Sequence, residues 1–225
     1  MSWLWNATIG SISQFASDFD IIWLSNGAPS ELPKTWTTCL YDETMTYTNR
    51  VKSVFKLLHD DEYFIFLHED WMPCNNINKN LLYTYVTYLK SIDCPYLMSY
   101  YTPDHNVKNT CVDFNGNKLC DMIYPYLQPS LWRGDAFKSV FSPSLDCKGI
   151  TNHIEIWLHN HNPSFRCLAL HIGKSNTNLS PIFPHMHVIV KGKLTSKKYP
   201  GVQKFLENYG VTLPLGIQQD TSWLV

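Results

Sequence analysis

Charge is scarce in this chain. Only 16% of its 225 residues are Asp, Glu, Lys or Arg, and the formal net charge is -1. A protein that grips a nucleic-acid backbone needs a basic surplus, so no nucleic-acid partner is expected. No CxxC pair occurs among the seven cysteines, Cys39, Cys74, Cys94, Cys111, Cys120, Cys147 and Cys167. An odd count without such pairs argues against a zinc ribbon and against a complete disulfide framework. The expected state is buried free thiols in a reducing compartment. Cys111 and Cys120 flank a predicted hairpin and would face each other across it, which leaves one bridge open. No apolar run reaches the ~20 residues that a membrane span needs, so no transmembrane segment is expected. The opening MSWLWNATIG has no basic stretch followed by a long apolar one and does not read as a signal peptide. Without such a signal, the sequon matches at Asn6-Ala7-Thr8 and Asn178-Leu179-Ser180 carry little weight. Repeats, low-complexity tracts and long linkers are missing too, so a single domain over 1–225 is expected.

What the chain does have is apolar and aromatic bulk, 44% and 14% of its residues, enough for a sizeable core. Its organising stretch is Tyr63 to Pro73, YFIFLHEDWMP. The unalternating run Tyr63–Leu67 reads as a strand buried on both faces, of the kind found in parallel sheets covered by helices. Helices are expected at 3–17, 44–59, 79–91, 133–141, 152–160 and 201–208, and strands at 21–24, 63–67, 96–100, 123–127, 165–172 and 185–191. A loop is expected around Pro29 and Pro33, and a hairpin turns at Asn115-Gly116. The order helix, strand, helix, strand, helix, strand in the front half specifies a wound parallel sheet. It also puts Ser25-Asn26 and His68-Glu69-Asp70 on one edge. The back half is mixed.

Open α/β sheets bind ligands beyond the carboxyl ends of their strands. Glu69 and Asp70 sit there, at the lip of a core where an unpaired charge is costly. A hard divalent cation would give them a purpose, because Mg²⁺ and Mn²⁺ prefer carboxylate and phosphate oxygens. The plain alternative is a solvated acidic loop. A second cluster is PHMHVIVKGK at 184–193. Strand alternation points Met186, Val188 and Val190 toward the core and His185, His187, Ile189 and Lys191 away from it. An outward His can ligate a metal, and Lys191 and Lys193 would neutralise a diphosphate. A surface His pair and a solvated strand exit are the alternatives. In a third cluster, Trp132 is expected in a turn before a helix, with one ring face exposed for a sugar to stack on. Glu155 is expected in the first turn of the following helix, where the dipole favours a carboxylate able to act as a base. Such a carboxylate more often serves the helix alone. His159-Asn160-His161 reads as a helix end rather than a ligand set.

Taken in order, FLHEDW at 66–71, LQPSLWRGD at 127–135, HIEIW at 153–157, HVIVKGK at 187–193 and YPGVQKFLENYG at 199–210 resemble the GT-A-type nucleotide-sugar glycosyltransferases. Such enzymes occur in giant viruses and in bacterial surface-polysaccharide clusters. The resemblance covers most of the chain. It implies a GT-A-like α/β fold, a Rossmann-like mixed sheet flanked by helices in a single domain. It implies transfer of a sugar from a nucleoside diphosphate sugar to a glycan or protein acceptor, with inversion, in the cytoplasm of a host cell or in a virion. By the same carry-over Asp70 and His187 would hold Mn²⁺ or Mg²⁺. Glu69, His68, Lys191 and Lys193 would face the donor, Trp132 and Trp71 the acceptor, and Glu155 would be the base. His68 stands where many relatives carry the first Asp of the triplet. Relatives also place a base-cradling strand ahead of the segment matching Ser2–Trp5. Two other readings stay open: a non-catalytic carbohydrate-binding relative, and a zinc hydrolase built from His185, His187 and an acid.

Overall fold

A computed structural model describes residues 2–27, 29, 32–101, 107–143, 151–161, 163–171, 179–190, 193–195, 199, 201–214 and 218–219. In chain order the elements are α1 (Trp5–Phe15), β1 (Ile22–Ser25), β2 (Thr37–Leu40), α2 (Tyr47–Lys52), β3 (Tyr63–Phe66), β4 (Trp71–Pro73), α3 (Lys79–Ser91), β5 (Tyr96–Tyr101), β6 (Val107–Phe114), β7 (Asn117–Met122), β8 (Ser130–Arg133), α4 (Gly134–Phe141), α5 (Thr151–His161), β9 (Cys167–His171), β10 (His185–His187), β11 (Ile189–Val190), β12 (Lys193–Leu194), α6 (Val202–Glu207) and β13 (Gln218–Gln219). No helix among the described residues is long and apolar enough to cross a membrane.

The main sheet has six strands in the order β3-β8-β5-β9-β7-β6. It is mixed. β3 and β5 run the same way because each is antiparallel to β8, and β9 is parallel to β5. The expected wound parallel front half is therefore interrupted: β8 inserts antiparallel between β3 and β5. β3 is also not a fully buried central strand. It lies at the sheet edge, and its four residues are each half-buried. Its unbroken apolar run still has a physical reason, since both faces of the sheet are covered. Phe64 and Phe66 pack with Tyr96, Trp132 and Ala169 beneath Val51, Phe137, Phe141, Ile154 and Leu158 of α2, α4 and α5. Tyr63 and Ile65 pack with Leu97, Leu131 and Leu168 beneath Leu82, Tyr85 and Leu89 of α3.

The hairpin forms as expected. Asn115 and Gly116 take positive φ, 50° and 76°, as a two-residue turn requires. Cys111 and Cys120 stand directly opposite each other and are bridged. Cys39, Cys74, Cys94 and Cys167 are free thiols, and Cys147 lies outside the described residues. The strand expected at 21–24 forms as β1, but it pairs in parallel with β2, for which no strand was expected, in a separate two-stranded sheet. Residues 123–127 turn the chain instead of continuing as strand. The expected helix at 44–59 shrinks to α2, capped by the Thr46 side chain at the Asn49 N–H, followed by a 3-10 turn at Phe55–Leu57.

A smaller unit lies alongside. β4 pairs antiparallel with β10, and β11 with β12. Leu4, Ala7 of α1, Met72, Val188, Ile189, Leu194 and the α6 residues Val202 and Leu206 form its core. α1 lies close to the end of α6 because residue 10 is glycine. A Cβ there would come 2.4 Å from Cδ1 of Tyr209, whose hydroxyl donates to Gln14 at 2.6 Å.

Candidate functional site

The site grows from the turn that ends β3. The Trp71 N–H donates to the His68 carbonyl at 3.0 Å, folding His68-Glu69-Asp70 into a tight reversal. The turn is clamped from both sides. The Thr8 hydroxyl on α1 reaches the Glu69 carbonyl at 2.9 Å, and the Val188 N–H donates to the Asp70 carbonyl at 2.7 Å. β4 then pairs with β10 so that Trp71 faces His187. That register carries Asp70 to a residue 117 positions away: His187 Nε2–H donates to Asp70 Oδ2 at 3.0 Å. The Thr195 hydroxyl donates to the His187 carbonyl at 2.5 Å and fixes the far strand. The expected metal pair, Asp70 and His187, is thus brought together, with side chains about one-fifth exposed, at 20% and 21%.

The Trp71 ring stacks on His187 with centroids 3.9 Å apart and planes 18° apart. That contact fixes the imidazole plane. Glu69 is half-buried, and among the described residues its carboxylate has no hydrogen-bond or ion-pair partner. His68 stacks against Tyr47 and packs edge-on to Phe66 at 5.0 Å. Tyr199, in the core below, is pushed up to about 12 by burial, so it stays a neutral phenol.

Several expected roles do not survive the packing. Trp132 is a strand residue with no exposed surface, not a turn residue with an open ring face. It is sealed between Tyr96 at 4.6 Å and Phe137 at 5.5 Å, and its Nε1–H donates to Ser130 Oγ at 2.9 Å. An acceptor sugar has no ring face to stack on there. Trp71 is 4% exposed, with one face on His187, and offers no open platform either. His185 does not point outward. It is 4% exposed, its Nδ1–H donates to the Phe183 carbonyl at 2.5 Å, and it packs on the edge of Trp71. Ile189 is buried as well. The reason is that the expected strand 185–191 breaks at Val188, so simple alternation does not carry through it.

Glu155 lies on α5 as expected, but at the fifth helical residue instead of in the first turn. The dipole argument loses force there. Its side chain is outside what is described, while Ile154 and Leu158 root the helix in the core. Lys191 lies outside the described residues, and Lys193 is half-buried on β12, opposite Val190. His161 bonds the Trp157 carbonyl at 2.9 Å, one turn back, as a helix-end histidine does.

Among the described residues no group of three or more His, Cys, Asp and Glu side chains could hold a metal. The zinc hydrolase reading counted on His185, which is buried with its Nδ1–H on the Phe183 carbonyl. One carboxylate oxygen and one imidazole nitrogen, from Asp70 and His187, do fit a cation that takes its remaining ligands from phosphate oxygens and water. Sequence reasoning missed Thr8, Thr195 and Tyr47. The first two act through backbone carbonyls, which leaves no residue-type signature. No protein-family model matches the chain, and comparison with curated proteins gives no match either.

Proposed function

We propose that this chain is a metal-dependent glycosyltransferase with a GT-A-like fold, moving a sugar from a nucleoside diphosphate sugar to an acceptor hydroxyl with inversion. The observation that carries the reading is the 3.0 Å contact of Asp70 with His187, from motifs 117 residues apart. The resemblance asks these two residues to share a cation. Their mixed oxygen and nitrogen set suits Mn²⁺ better than Mg²⁺. When bound, that cation would offset the charge of the departing diphosphate. Asp70 and His187 would hold it in place of the proton they now share. Lys193, with Lys191, would lie on the phosphate side, and Glu69 and His68 beside the donor. Glu155 would take the proton from the acceptor hydroxyl as its oxygen bonds the anomeric carbon and the bond to the diphosphate breaks. Trp132 and Trp71 have no part in acceptor binding in this reading.

The test is calorimetric titration with UDP and GDP, with and without Mn²⁺. Binding that requires Mn²⁺ and is lost in Asp70→Asn is the expected result. Metal-independent binding, or none, would sink the reading. The second reading is a carbohydrate-binding relative without catalysis. It draws on the Asp70–His187 pair being satisfied by itself, and glycan binding with no nucleotide binding would favour it.

A further inference from the structure

The ladder of the main sheet leaves one polar atom unaccounted for. Among the described residues, Gln128 Oε1 is the buried side-chain oxygen or nitrogen without a hydrogen-bond partner. Two serines beside it in the ladder have their hydroxyls committed elsewhere. Ser130 Oγ donates to the Gln128 carbonyl at 2.7 Å and accepts from Trp132 Nε1. The Ser99 hydroxyl and N–H both donate to the Pro129 carbonyl, at 2.5 and 3.0 Å. A buried acceptor left unmade is costly, so it calls for a donor, from an ordered water or from a ligand.

Its position says what that partner is near. Ser130 of β8 is paired with Phe66 at the end of β3 and with Met98 of β5. β8 is antiparallel to both, so two residues earlier its line reaches the carboxyl ends of β3 and β5. Gln128 precedes β8 by two residues, and the β3–β8 register, continued past its last pair Phe66–Ser130, sets it level with His68, on strand lines about 4.8 Å apart. Asp70 follows His68 by two residues on the same edge. The chemistry of the atom then selects the partner. An amide carbonyl only accepts hydrogen bonds, and so do phosphate oxygens and carboxylates. The missing group is therefore a donor, attached close to whatever sits against Asp70.

We infer that Gln128 Oε1 accepts a hydrogen bond from a hydroxyl of the sugar carried by the nucleoside diphosphate donor. Gln128 is then the residue that tells a nucleotide sugar from the bare nucleotide. The inference rests on the transferase reading above.

Gln128→Met keeps the length of the side chain and removes the amide. Its melting temperature without ligand should equal or exceed that of the wild type, because an unpartnered oxygen has been replaced by an apolar group. In Mn²⁺, both proteins are titrated with UDP and GDP, then with UDP-glucose, UDP-N-acetylglucosamine and GDP-mannose. The expected result is unchanged affinity for the bare diphosphates and roughly ten-fold weaker binding of the preferred nucleotide sugar by the variant. Equal affinity for that nucleotide sugar overturns the inference while the transferase reading stands. So does an equal loss for UDP or GDP, which would place the oxygen on the nucleotide. A clearly lowered melting temperature overturns it too, by showing that the oxygen serves the protein itself. If the wild type binds none of these probes, the transferase reading fails and this assignment falls with it.

Discussion

The six-stranded sheet and the small unit beside it are built by different means. The sheet is held by long apolar ladders, and both its faces are roofed by helices. Its few polar side chains look after one another locally, as Trp132 and Ser130 do. The small unit has strands of two and three residues, β4 and β10 to β12, too short to stand alone. Side-chain hydroxyls tie them, Thr8 to Glu69 and Thr195 to His187. Asp70 and His187, on which the proposed function rests, meet at this stitched seam. The comparison teaches that the sheet supplies stability and the seam supplies geometry. Substitutions in the sheet should therefore cost the fold, and substitutions at the seam should cost the site.

The largest effect belongs to Trp132. Truncation to Ala removes a fully buried indole and should cost about 4 kcal/mol, read as a fall in the urea midpoint. Trp132→Phe should recover most of that stability, and binding of UDP in Mn²⁺ should be unchanged. If Trp132→Phe is stable yet loses acceptor use specifically, the indole has a role beyond packing, and the division between sheet and seam is too sharp.

Gly134 gives the next largest effect and tests how the sheet receives its helices. A Cβ there would lie 2.0 Å from the His59 carbonyl oxygen, a backbone atom that cannot swing away. The Gly134 N–H donates to Glu62 at 3.0 Å, which holds the two segments together. Gly134→Ala should cost about 2–3 kcal/mol by overpacking, measured by urea unfolding. A cost near zero would mean that the loop at 58–62 yields easily.

These two residues also show what was legible in the sequence. Helix α3 and the Asn115-Gly116 hairpin could be read because periodicity and turn chemistry are local. Ser130–Arg133 could not, because Pro129 and Gly134 punctuate it so closely that it resembles a turn. Its antiparallel insertion depends on partners 30 and more residues away. β4 escaped because three residues carry no period, and β2 because Cys39 alone of its four residues is buried. The approach of Asp70 to His187 was implied by ordered motifs, and no spacing within either motif contained it. The exposure expected for Trp132 failed because its segment is a strand and not a turn. That expected for His185 failed because alternation tells which side a residue faces, but not what covers that side.

At the seam, Thr195→Val should separate stability from site geometry. Losing the hydroxyl that holds the His187 carbonyl should cost about 1 kcal/mol of stability. It should weaken Mn²⁺-dependent UDP binding by a larger factor than any sheet substitution that leaves the protein folded. Calorimetry beside urea unfolding would measure both. If binding falls only in proportion to stability, the seam sets the site no more than the sheet does.

The smallest effect is kinetic, and it compares the two regions through their thiols. Cys94 lies buried under the sheet, and Cys74 follows β4 at the seam, half-exposed, with its N–H donating to Pro184 at 3.1 Å. Burial pushes both thiols up to about 11. The thiolate is the reactive form, so both should label slowly near neutral pH, and the rate should climb steadily as pH approaches 11. Only access differs between them. Alkylation read by peptide mass should reach Cys74 in the folded protein, because opening two- and three-residue strands is a local event. Cys94 should label only when the sheet unfolds, with a rate that follows urea concentration along the global transition. Equal protection of the two thiols would mean that the seam opens only with the sheet, and the two regions would then be one cooperative unit.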